Sequence, residues 1–64
     1  MIDDDQLHSI AAAYATQIMF ERRKYQFENH HETMTHDQMQ TGWVYHYEGF
    51  KTGYKACMTM ITVH

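Results

Sequence analysis

The residues of this 64-residue chain that could do chemistry are six histidines, one cysteine and a short basic run. His30, His31, Glu32 and His36 crowd one stretch, and Glu32 with His36 has the i, i+4 spacing that places two ligands on one helical face. As a zinc site the set is incomplete. Adjacent histidines point in different directions, and no cysteine lies nearby to complete a recognisable pattern. We therefore read Asn29 to Thr33 as a polar turn and expect no metal. Cys57 sits among apolar residues at helical spacing with no general base placed beside it, so it reads as a small buried hydrophobe rather than a nucleophile. There is no Gly-rich phosphate loop, no Ser/His/Asp constellation and no volume for a ligand pocket inside so small a fold. The expectation is a protein that is not an enzyme and carries no cofactor.

Charge narrows the remaining classes. Eight acids against five bases give a formal charge of −3, which opposes general phosphate binding and leaves Arg22-Arg23-Lys24 as the only basic cluster. Phe20 and Phe27 lie seven residues apart with Arg23 and Lys24 between them, on the side of a helix away from its main seam. Phe20, Arg23, Lys24 and Phe27 form a candidate partner-binding patch; the same aromatics would equally suit contact with a second copy. A nucleic-acid-associated regulator using Arg22, Arg23 and Lys24 from each protomer is the alternative function class. Phosphate-driven binding would weaken steeply as salt rises, and a Phe-centred interface would not.

These side chains need elements to position them, and the sequence marks two helix starts. Asp3 fits an N-cap with Gln6 as its capping-box partner, Ile2 and Leu7 as the staple, and Asp4 and Asp5 in the first turn. Thr35, Gln38, Met34 and Met39 repeat that grammar. Between the two starts, Leu7, Ala11, Tyr14 and Ile18 make a seam at 4, 3, 4 spacing, with Ile10 on its shoulder and Tyr25 one heptad on. The first helix is expected over about residues 4–29, the turn over about 30–34 and the second helix over about 36–61, all in one domain spanning 1–64.

The second helix carries two heptad patterns. Trp43, Tyr47, Phe50, Tyr54, Cys57 and Ile61 form a bulky stripe, while Gly42, His46, Gly49, Gly53, Ala56 and Met60 form a neighbouring stripe of mostly small residues. The bulky stripe is expected to bury against the first helix. The small stripe is the candidate self-association surface, because three glycines inside a helix cost roughly 1 kcal/mol each unless they serve a close approach. Chains this small rarely gain more than about 3 to 5 kcal/mol from one core, so a second copy is the expected supplement. The fold class is all-α: an antiparallel two-helix hairpin, dimerising into a helical bundle. The competing reading is α+β, with Trp43 to Tyr47 and Thr59 to Val63 as strands of a hairpin; it needs a loop containing Phe50, and the unbroken heptads favour helix. The β-branched last five residues are expected to fray or extend.

The phrase Gly49-Phe50-x-x-Gly53-Tyr54-x-Ala56, preceded by Trp43, resembles a helical phrase common in small accessory proteins of tailed bacteriophages, of the host-takeover type. That resemblance implies a regulator, inhibitor or adaptor directed at a host or phage protein. One cysteine cannot form an internal disulfide, and Met1-Ile2 runs straight into three aspartates with no basic or apolar leader pattern. No apolar run approaches the eighteen or so residues needed to span a bilayer, so no membrane partner is expected and the expected compartment is the cytoplasm.

Overall fold

The computed structural model describes residues 2–63, with the side chains of 2–60. It is an antiparallel hairpin of two helices, α1 (Asp4–His30) and α2 (His36–Val63), joined by a five-residue connection. No strand occurs among the described residues, so the α+β alternative falls.

Both predicted starts form as written. Asp3 Oδ1 accepts the Gln6 backbone N–H at 2.8 Å and Gln6 Oε1 accepts the Asp3 N–H at 3.0 Å. Thr35 and Gln38 make the same reciprocal pair at 3.1 and 3.0 Å. Each box satisfies backbone donors that a helix start leaves orphaned. α1 stops at His31, whose left-handed backbone (φ 54°, ψ 29°) turns the chain while its N–H donates to the Phe27 carbonyl at 3.1 Å. α2 continues through residues 60–63, which corrects the expected frayed or extended tail; His64 and the side chain of Ile61 lie outside the described residues.

The packing seam differs from the heptad expectation. On α1 the buried side chains are Leu7, Ala11, Ala15 and Met19, a row at spacings of four, with both alanines fully enclosed. Tyr14 and Ile18 stand on the shoulder of this row, and Tyr25, at 60% exposure, lies off it. On α2 two rows at the same spacing are half-buried against it: Met39, Trp43, Tyr47 and Lys51, and Gly42, His46, Phe50, Tyr54 and Met58. The reason is steric. Alanines at 11 and 15 leave a shallow ridge that nests between two i+4 rows of the facing helix, and such packing drifts away from a 3.5-residue stripe. Cys57, expected in the buried stripe, is consequently exposed.

The result is a rod, 49 × 20 × 15 Å in extent with a radius of gyration of 14.7 Å. It exposes 5242 Å². A compact protein of its mass would expose only about 4,300 Å².

Candidate functional site

Four sequence-nominated residues come together. Phe20, Arg23, Lys24 and Phe27 line one open groove of about 420 Å³ on the outer side of α1, with Thr33 of the connection as the fifth lining residue. Phe20 and Phe27 are 60% and 61% exposed, so most of two aromatic rings faces solvent. Large exposed aromatics beside cations are the composition of interface hot spots, where Phe supplies area and Arg supplies directional contacts. Arg22 does not belong to this groove. One residue along a helix is a turn of about 100°, and Arg22 lies instead in a second groove of about 590 Å³ with Ile18, Glu21, Tyr25, Gln26, His30 and Glu32. The basic triplet is thus split, and its first member sits beside two carboxylates.

The turn histidines form no chelating set: among the described residues no three His, Cys, Asp or Glu side chains converge on a point that would hold an ion. Glu32 accepts a hydrogen bond from Gln26 at 3.0 Å, and His30 stands edge-on to Tyr25 with centroids 5.8 Å apart.

The candidate self-association stripe divides in two. Gly42 and His46 face α1 of their own chain: a β-carbon on Gly42 would meet the Met19 thioether, and the His46 ring stands edge-on to Tyr14 at 6.4 Å. His46 Nε2 is buried there without a hydrogen-bond partner. These two are therefore corrected from an outward surface to the intramolecular one, because the i+4 row that starts at Gly42 is half-buried and meets Met19 and Tyr14 of α1. Gly49, Gly53, Ala56 and Met60 are exposed, and the space over both glycines is open. Ile10 and Tyr14, at 45% and 42% exposure, stand on the shoulder of α1, where Tyr14 contacts Phe50 with centroids 5.1 Å apart.

The opposite shoulder holds an aromatic and polar ladder that sequence reasoning missed. Trp43 Nε1–H donates to Thr16 Oγ1 at 3.0 Å, and that hydroxyl donates to the Ala12 carbonyl at 2.8 Å. Trp43 stacks on Tyr47 with centroids 4.9 Å apart, Lys51 Nζ lies 4.6 Å over the Tyr47 ring, and the Tyr47 hydroxyl meets His8 Nδ1. The signal available was the indole N–H itself, which finds a partner when partly buried.

No protein-family model, curated protein or solved structure matches the chain. Among the described residues no helix is long and apolar enough to cross a membrane.

Proposed function

We propose that this hairpin is a small protein-binding regulator, an inhibitor or adaptor, that engages its target through the Phe20–Arg23–Lys24–Phe27 groove. The carrying observation is that groove: two aromatics mostly in solvent with two cations between them on one helical face. Leaving such rings exposed is unfavourable by roughly 25 cal/mol per Å² of apolar surface, which a partner would recover. The resemblance of the Gly49-Phe50 phrase to phage accessory proteins adds the class of target, a host or phage protein met in the host cytoplasm. The rod's surface supports pairing with a second copy as well. It exceeds that of a compact protein of equal mass by about 900 Å², close to the roughly 800 Å² that each partner contributes to a standard interface. The face offered for that pairing carries Ile10, Tyr14, Gly49, Gly53, Ala56 and Met60.

Tagged protein incubated with lysate of its native cell, in parallel samples with and without nuclease treatment, tests the target-binding reading. We expect a captured protein that disappears when Phe20→Ser/Phe27→Ser is used as bait, with the variant still helical by circular dichroism. Identical capture by wild type and variant would refute the groove. A steeply salt-sensitive nucleic acid in its place would promote the alternative reading.

A further inference from the structure

The Phe20–Phe27 groove carries a charge opposite to that of the whole chain. The protein has a formal charge of −3, yet the five residues lining this groove include Arg23 and Lys24 and no acid. Glu21, Glu28 and Glu32 each lie one residue from a lining residue; Glu21 and Glu32 line the neighbouring groove with Arg22, and Glu28, one helical turn after Lys24, is outside the lining of both. Among the described residues neither Arg23 nor Lys24 forms an ion pair, Lys24 with Glu28 one helical turn on included, so binding an acid there breaks no internal ion pair. Phe20 and Phe27 stand two helical turns apart, about 10.5 Å along the axis, which is the spacing of apolar residues at i and i+7 on a second helix.

We propose that the groove accepts an acidic amphipathic helix of the partner protein. Its apolar side chains at i, i+3 or i+4, and i+7 cover Phe20 and Phe27, and the Asp or Glu residues flanking that stripe face Arg23 and Lys24. This rests on the protein-binding reading above and narrows it to one partner chemistry. The aromatics provide the area and the two cations provide orientation, the division of labour seen when a helix lies in an apolar groove. A nucleic acid fits less well. The three bases do not form one strip, and Arg22 is beside carboxylates.

Fluorescence anisotropy with a labelled probe peptide of about 16 residues decides it. The probe carries leucines at heptad spacing flanked by glutamates; its companions are a version with lysine for glutamate, a version with scrambled leucines, and a short DNA duplex. Wild type is expected to prefer the glutamate probe over the lysine probe by about tenfold, as two exposed ion pairs allow. Arg23→Glu/Lys24→Glu should reverse that preference, and Phe20→Ser/Phe27→Ser should abolish binding of both while keeping the helical spectrum. Equal affinity for the glutamate and lysine probes, or for the scrambled one, overturns the acidic-helix inference and leaves the protein-binding reading standing if Phe20-dependent capture persists. Tighter binding of the duplex overturns both. A change of oligomeric state in the Phe20→Ser/Phe27→Ser variant would also overturn it, since the groove would then be filled by a second copy.

Discussion

Gly42 and Met19 occupy a space that admits only one side chain: a β-carbon added at residue 42 would stand 2.5 Å from Met19 Cε and 2.7 Å from its Sδ. Met19 is 2% exposed, so the flexible end of its side chain can give way to a methyl group but not to a branched side chain. Gly42→Leu should lower stability by about 1 to 3 kcal/mol despite the helix propensity it gains, as overpacking does in a closed core. Gly42→Ala should be near neutral, since a flexible thioether can shift for one methyl and roughly 1 kcal/mol of propensity offsets the strain. Urea unfolding of Gly42→Leu, Met19→Ala and the double variant checks the contact: the double should be more stable than the two single losses predict by addition. Simple additivity would show that the two side chains do not compete.

The backbone at His31 gives a prediction of the opposite sign. A left-handed conformation costs a residue with a β-carbon about 1 to 2 kcal/mol relative to glycine, and His31 holds one (φ 54°) at an exposed position. His31→Gly should therefore raise stability by about 1 kcal/mol, less the greater freedom of glycine in the unfolded chain. A lower melting temperature would mean that the His31 side chain contributes more than its conformation costs.

Helix existence and the two starts were legible because each rested on local chemistry. Asp3 with Gln6 and Thr35 with Gln38 are complete capping boxes within four residues of chain, and both form. The Phe20–Arg23–Lys24–Phe27 patch was legible for the same reason, since one helix alone brings those residues together. The packing between helices was not. Hydrophobic spacing favoured Tyr14 and Ile18, but sterics at Ala11 and Ala15 decided that Ala15 and Met19 go inward, and that on α2 Trp43, Tyr47, Phe50 and Tyr54 of the bulky stripe are joined against α1 by Gly42 and His46 while Cys57 turns outward. Pairs far apart in sequence, such as Thr16 with Trp43, follow from that register and have no local signature.

The Trp43–Thr16 hydrogen bond is one of two long-range polar links on its shoulder of the hairpin, the other joining His8 to Tyr47. Trp43→Phe and Thr16→Val should each destabilise the fold, and their double-mutant cycle should return a coupling of about 0.5 to 1.5 kcal/mol, the net worth of one such bond. A coupling near zero would mean that water replaces the contact without loss.

Gly49 and Gly53 separate self-pairing from an idle surface. In the single chain both have open space above them, so filling it costs nothing there and gains roughly 1 kcal/mol of helix propensity. If a second copy lies on this face, Gly49→Leu or Gly53→Leu inserts a side chain into the interface, and in a symmetric pair each substitution enters twice. Sedimentation should show two copies for wild type and one for either variant. A variant with unchanged mass and a higher melting temperature would place the interface elsewhere.

The central claim is that the outer side of α1, and not the rest of the rod, meets another protein. A photo-crosslinking amino acid placed in turn at Phe20, Phe27 and the exposed Thr52, followed by irradiation in the native cell, tests it most directly. The account predicts an adduct with a different protein at positions 20 and 27 and none at 52. Adducts only with a second copy of this chain, or equal yields at all three positions, would contradict it.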